Sequence, residues 1–321
     1  MSKSWKILFI IGASLATLGA ILFVTVFAIS GWDITKLSDS KHETNSYTFT
    51  DKVSDIVINT DTADITIVPS SENYVKVVCE ESEDEKHAVS VKDGTLSISL
   101  VASEWYEYIS FFSFGETKIT VYLPIKEYGK LSITEHTGDV EISKDFKFES
   151  IDITASTGIV KCYASASKQI NITTSTGDML LSDLSAGSLG LKTSTGHVSV
   201  SSLLCSEGFS LKVNSGDATL QNISCKSFTS SGSTGDLSMK NLIAKDKMSI
   251  ERDTGDVTLD RCDANEIEIE TSTGDVRGSV RSDKTFFVQS DTGRVTAPET
   301  VSEQICRVTC STGDIDLVVS P

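Results

Sequence analysis

Four aspartates in one column of a repeated motif are the residues of this sequence best placed to do chemistry. Asp217, Asp236, Asp256 and Asp275 each follow a glycine and recur every 19 or 20 residues. If successive repeats stack at the usual strand spacing of about 4.8 Å, neighbouring carboxylates repel by roughly 1 kcal/mol even in water. Solvent screening, hydrogen bonds from the turn or a bound cation would each relieve that repulsion. Calcium prefers several carboxylate and carbonyl oxygens, so these four residues are the metal candidates.

The same motif also has a structural interpretation. Glycine supplies a positive φ where the chain turns, and the Thr or Ser before it can hydrogen-bond turn amides. Gly-Asp turns do bind calcium in repeat proteins, but those have nine-residue periods, unlike this sequence. The turn interpretation is therefore favoured and no cofactor is predicted, with calcium as the alternative.

The repeated carboxylates are poor candidates for catalysis. An acid–base pair needs two carboxylates whose surroundings push their pKa values apart, and near-identical corners offer no such distinction. The four histidines, His42, His87, His136 and His197, are scattered and do not pair by spacing with a Ser or Cys nucleophile. We predict that the protein is not an enzyme, with a polysaccharide-acting β-helix enzyme as the least favoured alternative.

The glycines of the motif reveal the elements that must position these aspartates. Ten of them are separated by 19 or 20 residues, and a period this regular indicates a solenoid. The ten are Gly138, Gly158, Gly177, Gly196, Gly216, Gly235, Gly255, Gly274, Gly293 and Gly313.

Apolar residues alternate on both sides of each glycine. Leu131 and Ile133 precede Gly138, and Val140 and Ile142 follow it, with equivalents in the later repeats. Period-two alternation beside a glycine turn is typical of strands with one buried face. We therefore predict an all-β fold, a parallel β-helix-like solenoid of 19–20-residue coils. Nine steps give a rod of roughly 43 Å, right-handed by the preference of parallel crossovers.

Composition and charge narrow the class of partner. The chain has 321 residues with 28 Lys+Arg and 45 Asp+Glu, a net charge of −17. Nucleic acid and anionic membrane surfaces would repel it. Its seven cysteines are unequally spaced and do not indicate a small disulfide scaffold. Cys205 and Cys225 lie one coil apart in a column of small residues. That favours two buried thiols and leaves a disulfide as the alternative.

The first segment indicates a membrane location. The run from Ile7 to Trp32 has 26 residues without a charge, more than the ~20 needed to cross a bilayer. Lys3 and Lys6 favour a cytoplasmic N-terminus and an extracytoplasmic repeat domain. A cleaved signal peptide ending near Ala28-Ile29-Ser30 is the alternative.

The chain divides into four parts. We predict a stub and transmembrane anchor at 1–32, a tether at 33–44, an N-terminal β cap with degenerate coils at 45–130, and solenoid repeats at 131–321. Because the last corner strand lies next to Ser320-Pro321, we expect an open parallel edge at the distal end, available for self-association.

An aromatic stretch interrupts the cap region. A solenoid end needs a cover, so these rings are expected to plug the membrane-proximal end. The alternative is a contact patch for a partner, since exposed aromatic clusters mark interaction sites. The six residues are Trp105, Tyr106, Tyr108, Phe111, Phe112 and Phe114.

The glycine corners, together with the opening Asp61-Thr62-Ala63-Asp64 and Pro69, resemble the bacterial "putative adhesin" family of β-strand-repeat proteins. The resemblance covers about residues 45–321 and implies a cell-envelope protein, sometimes linked with adhesion or envelope-stress signalling, and it carries no catalytic residues. This chain departs from the corner pattern at Ile159, His197 and Arg294, where the Asp is replaced.

We therefore predict a membrane-anchored, extracytoplasmic binding or adhesion protein that is not catalytic. Its expected partners are the membrane, through the N-terminal helix, and an envelope protein or glycan. The alternative is a sensor or scaffold in a cell-envelope stress response.

Overall fold

The protein is one helix followed by strands. A computed structural model describes residues 3–29, 42–82, 85–101 and 117–320. The elements are α1 (Lys3–Ile29), β1 (His42–Phe49), β2 (Asp55–Asn59), β3 (Asp64–Ser70), β4 (Val75–Ser82), β5 (His87–Lys92), β6 (Thr95–Leu100), β7 (Lys118–Pro124), β8 (Glu127–Thr137), β9 (Val140–Ile142), β10 (Lys147–Thr157), β11 (Val160–Cys162), β12 (Ser165–Thr176), β13 (Met179–Thr195), β14 (Val198–Cys205), β15 (Gly208–Ser215), β16 (Ala218–Thr234), β17 (Leu237–Thr254), β18 (Val257–Cys262), β19 (Glu266–Thr273), β20 (Val276–Val280), β21 (Thr285–Thr292), β22 (Val295–Thr296), β23 (Ile305–Thr312) and β24 (Ile315–Val319).

The helix α1 has no charged residue after Lys6. Its segment Gly12–Ile29 has a mean hydropathy of 2.1 and no residue buried against the rest of the protein. That length and composition are sufficient to cross a membrane.

The strands form a β-solenoid, as predicted. Strands that precede a corner glycine pair in parallel with their equivalents in the adjacent coils and make face A; strands that follow it make face B. On face A, Ile151 of β10 pairs with Leu131 of β8 and with Ile170 of β12. Alternate side chains of both faces point inward, so the core runs the length of the stack, which we call the rod.

A second corner lies six residues after the glycine in the middle coils. Its residues have φ between 51° and 55°, and all are non-glycine. Asn and Asp tolerate this left-handed conformation better than most residues, and the Nδ2 of Asn241 donates to Asn222 Oδ1 at 3.0 Å. After this corner, a short third face buries Leu184, Leu203 and their equivalents. The corner residues are Asp183, Ser202, Asn222, Asn241 and Arg261.

The coils at the N-terminal end are not stacked in sequence order. The coil of β2 and β3 lies between that of β6 and β7 on one side and that of β8 and β9 on the other. Three antiparallel strands cover this end: β5 on β6, β4 on β7, and β1 on β4. Strand β1 begins at His42, inside the segment expected to be a tether.

The C-terminal end shows the same departure from sequence order. The unit of β23 and β24 lies between the coil of β19 and β20 and the coil of β21 and β22. The outermost strands are therefore β21 and β22, not the last strands of the sequence. Each pairs on one side only within the described residues.

The residues explain which unit is outermost. Strand β24 buries Ile315 and Leu317, whereas β22 has two residues and is followed closely by Pro298, which has no amide hydrogen to donate to a further strand. Because Pro is tolerated at an edge, the unit with the weaker strand lies at the end of the rod.

Candidate functional site

The corner column places the repeated glycines in direct contact from coil to coil. Gly255 has a φ of 135°, and its amide donates to the carbonyl of Thr273 in the next coil at 2.9 Å. A Cβ at Gly255 would overlap the carbonyl oxygen of Gly235 in the preceding coil. The corner therefore requires glycine both for its backbone conformation and for the close approach of two backbones.

The aspartates that follow the glycines form a hydrogen-bonded ladder. Asp217 Oδ1 accepts from the amide of Asp236, Asp236 Oδ1 from that of Asp256, and Asp256 Oδ1 from that of Asp275, at 2.8–2.9 Å. The ladder begins at Asp64, whose Oδ1 accepts from Asp139 at 2.8 Å. Each carboxylate thus satisfies an amide of the next coil. These hydrogen bonds from backbone amides offset the repulsion between stacked carboxylates.

The ladder also follows the rearranged order of the last coils. Asp275 Oδ1 accepts from the amide of Asp314, 39 residues away, at 2.6 Å, and Asp314 Oδ1 accepts from Arg294 at 2.8 Å. The Arg294 guanidinium pairs with the same carboxylate at 3.2 Å. Hydrogen bonds to Arg294 lower the pKa of Asp314. The ladder ends at Arg294, whose side chain has no carboxylate to accept a further hydrogen bond.

The ladder is interrupted where the sequence replaces Asp. At His197 the imidazole lies between two carboxylates, with Nδ1 3.4 Å from Asp178 and Nε2 3.7 Å from Asp217. At Ile159 the backbone amide donates to Asp139 Oδ1 at 2.8 Å, but the Ile159 side chain has no oxygen to accept from the next coil. Among the described residues, no group of three His, Cys, Asp or Glu side chains is close enough to hold a metal ion.

Buried polar side chains lie inside the rod, three residues before five of the corner glycines: Glu135, Thr174, Thr193, Arg252 and Thr271. Arg252 is 1% exposed, and its guanidinium fills the space above Gly232, where any Cβ would overlap Nη1. Nη2 donates to Ser230 Oγ at 3.0 Å, while Nε and Nη1 have no hydrogen-bond partner among the described residues. Burial lowers the pKa of Arg252, opposed by the nearby Asp217 and Asp236.

Glu135 occupies the equivalent place near the N-terminal end. It is 1% exposed. Its Oε1 accepts from the amides of Thr137 at 2.9 Å and Ala63 at 3.3 Å, and Oε2 has no hydrogen-bond partner in the part of the chain that the structure describes. Burial raises the pKa of Glu135 to about 7, against the lowering effect of these two amides.

The structure joins three residues that sequence spacing did not connect. His87 Nδ1 lies 2.8 Å from Glu81 Oε2, and His87 Nε2 lies 2.8 Å from Thr60 Oγ1. This is the order of groups in an acid–base–nucleophile triad. All three side chains are buried, however, and Glu81 Oε2 also accepts from the backbone amide of His87. The cluster therefore ties β4 and β5 to the first coil and gives a substrate no access to the hydroxyl.

A cleft of about 580 Å³ lies along the third face near the N-terminal end. Its floor includes Tyr128 and Phe148, whose ring centroids are 5.7 Å apart. Lys168 and Glu149 pair at its rim. The cleft can receive a polar group over an aromatic floor.

The cysteines and the aromatic stretch are the remaining candidates from the sequence. All seven cysteines are free and buried, Cys205 and Cys225 among them. Burial raises the pKa of the Cys225 thiol to about 12, so it stays protonated at neutral pH. The six aromatic residues from Trp105 to Phe114 lie outside the described residues.

The fold and the corner column together define a β-solenoid repeat protein whose recurring motif is built into its backbone hydrogen bonding. The chain belongs to the Toastrack DUF4097 family, whose model matches residues 53–318. This confirms the family resemblance that the corner motif indicated.

Several solved structures are similar to this chain. A "putative adhesin" from Parabacteroides distasonis is 13% identical with a TM-score of 0.49, over 88% of this chain and 98% of that chain. A "putative lipid binding protein" from the same species is 19% identical with a TM-score of 0.47, over 75% and 95%. A "putative adhesin" from Parabacteroides merdae is 12% identical with a TM-score of 0.47, over 88% and 98%. No curated protein matches the sequence.

Proposed function

We propose that this protein is a membrane-anchored binding protein of the bacterial cell surface, that face B of its rod carries an extended polar ligand, and that it catalyses no reaction. The observation that carries the proposal is a row of hydroxyl groups on face B. Ser199, Thr219, Ser238 and Thr258 are in-register neighbours on consecutive coils, and all four are exposed. Their spacing repeats at about 4.8 Å.

A regular row of hydroxyls suits a ligand that is itself regular. Hydroxyls both donate and accept hydrogen bonds, so a polysaccharide lying along the rod would meet equivalent partners at each coil. A glycan is therefore the proposed ligand class. A protein partner, as expected for a stress sensor or scaffold, is the competing outcome of the test below.

Two further observations support the non-catalytic part of the proposal. The ladder carboxylates are engaged by backbone amides, which leaves them no distinct acid and base roles. The triad-like cluster of Thr60, His87 and Glu81 is buried.

The anchoring part of the proposal depends on α1. With Lys3 and Lys6 before the apolar segment, the N-terminus would stay in the cytoplasm and the rod would face outward. Protease added to intact cells should then degrade the rod, and deletion of residues 1–29 should release it from membranes. A rod that stays intact until the membrane is broken would overturn this topology.

The ligand is tested with the full chain in detergent and purified cell-wall polysaccharide as the probe. The double variant Thr219→Glu/Ser238→Glu places two charges in the row and should weaken binding by about tenfold or more, equivalent to 1.4 kcal/mol. The matched control is Ser210→Glu/Thr229→Glu, an exposed in-register pair on face A, and it should bind as the parent does. Equal losses in both variants, or capture of a membrane protein without polysaccharide binding, would contradict a glycan site on face B.

A further inference from the structure

We propose that the unit formed by β23 and β24, Ile305–Val319, is exchanged between two copies of this chain. The unit of each copy would fill the terminal slot of the other, which we define as the space between β19/β20 and β21/β22. The inference does not depend on the proposed ligand or on the anchor.

The slot is a fully formed two-sided site. Strand β23 pairs in parallel with β19 on one side and β21 on the other, from Ile305 to Thr312. Strand β24 pairs with β20 and β22. Cys306, Val308 and Cys310 are buried there. An identical segment from a second copy would make the same pairs and bury the same side chains, which is why exchange of identical elements is a low-cost route to dimers.

The order of the coils leaves this slot open during folding. The chain leaves β20, passes over the slot to build β21 and β22, and only then returns with β23 and β24. Until the unit docks, β19 and β20 present unpaired strand edges beside an apolar interior. The edge of β20 is therefore available to the equivalent unit of any neighbouring copy.

The connector between the two units allows the exchange. Residues 297–304 include Pro298, and Val301 is 95% exposed. Eight extended residues reach about 26–29 Å, enough to carry the unit to a rod lying alongside. Thr300 Oγ1 donates to Lys284 O at 2.5 Å, and Thr285 Oγ1 donates to Ser302 O at 2.7 Å. These bonds hold the connector against its own rod, in the form without exchange, which we call the closed form.

The Lys284 side chain stabilises the closed form. Its side chain is fully buried where the outgoing and returning passes of the chain meet. Its Nζ lies 2.6 Å from Asp263 Oδ1, 2.7 Å from Ala264 O and 2.8 Å from Gln304 Oε1. Gln304 belongs to the returning pass, so this amine joins the connector to the body of the rod. Loss of the Lys284 amine would favour the exchanged form.

The experiment detects whose segment fills the slot. Glu270 and Thr309 are exposed neighbours across β19 and β23, so Glu270→Cys and Thr309→Cys place two thiols side by side. Full-length single variants with different tags are co-expressed and oxidised. Exchange predicts a disulfide-linked heterodimer between them. The double variant in one chain shows that the pair can be crosslinked in the folded protein.

The matched control is Ser210→Cys co-expressed with Thr229→Cys, an exposed in-register pair in the middle of the rod. This pair reports random collisions and should give no heterodimer. Lys284→Met should raise the heterodimer of the test pair several-fold, and Thr300→Ala serves the same purpose if Lys284→Met fails to fold. Equal crosslinking in test and control pairs, no heterodimer, or a crosslink from position 270 to an unrelated protein would each overturn the proposal.

Discussion

The carboxylate of Asp236 accepts a hydrogen bond from the backbone amide of Asp256, one coil further along the rod, with an Oδ1–N distance of 2.8 Å. The same relationship joins Asp217 to Asp236 and Asp256 to Asp275. The repeated aspartate is therefore a side-chain link between coils, in addition to the backbone pairing of the strands.

The first prediction concerns this link. Asp236→Asn keeps an acceptor oxygen and should change the free energy of unfolding by less than about 0.5 kcal/mol, whereas Asp236→Ala should cost about 0.5–1.5 kcal/mol because the link is lost. Denaturant unfolding measures both. Asp253→Ala, an exposed aspartate outside the ladder, is the control. If Asn and Ala were equally harmful, the negative charge rather than the acceptor would be what matters, and a bound cation would become the better account.

The second prediction concerns the corner glycine. Gly255→Ala places a methyl group against the carbonyl of Gly235 at a φ of 135°. Strain of this kind costs of order 1–3 kcal/mol, and the overlap with backbone adds to it. Gly208→Ala is the matched control, since its new Cβ would lie 3.2 Å from the movable Ser227 hydroxyl. Thermal unfolding of the two variants should differ clearly, and similar melting temperatures would contradict the tight corner.

The third prediction is a pH dependence that arises from Glu135. Burial raises its pKa from 4.5 to about 7 in the folded protein, so the folded state holds a proton that the unfolded state loses at lower pH. Stability from this group is full below pH 4.5 and decreases as the pH rises to about 7, by on the order of 3 kcal/mol. Asp61 and Asp64 raise the pKa further by repulsion.

Glu135→Gln keeps the acceptor for Thr137 and Ala63 but cannot ionise. We expect the variant to unfold at higher denaturant concentration than the parent at pH 8 and at a similar concentration at pH 4.5. Glu141→Gln, an exposed residue paired with Lys161, should leave the pH profile unchanged. Parallel profiles for the parent and Glu135→Gln would show that Glu135 does not titrate in this range.

The fourth prediction concerns the buried guanidinium. Arg252→Met removes a charge with two unpaired nitrogens, and replacement of buried charges by apolar residues is often neutral or stabilising by 1–4 kcal/mol. Ser230→Ala keeps the charge and removes its one side-chain partner, which should cost about 1–3 kcal/mol. In calorimetry, the melting temperature should therefore fall for Ser230→Ala and either rise or stay unchanged for Arg252→Met. A large loss for Arg252→Met would instead mean that the guanidinium is well solvated inside the rod.

Much of the fold was predictable from the sequence because its signals are local and repeated. The glycine period and the alternation around residues such as Leu131 and Val140 indicate a turn and an inward-facing strand without knowledge of any distant residue. The second corner was not predictable, because Asp183, Ser202 and Arg261 have little in common as residue types. Their left-handed φ follows from the coil being closed on all sides.

The sequence by itself determined the coil length, the inward residues and the apolar helix, since each depends on a pattern within about twenty neighbouring residues. Only the tertiary structure decided the rest. It decided that the backbone amide of Asp314, rather than that of Arg294, donates to the Asp275 carboxylate. It also decided that His87 contacts Glu81 and Thr60, and that the Arg252 guanidinium lies above Gly232. These depend on which coil packs beside which, and that is a competition between whole units for the same strand edges. The unit with the longer, more apolar strand occupies the inner position because it buries more surface on both sides, and no single stretch of sequence contains that comparison.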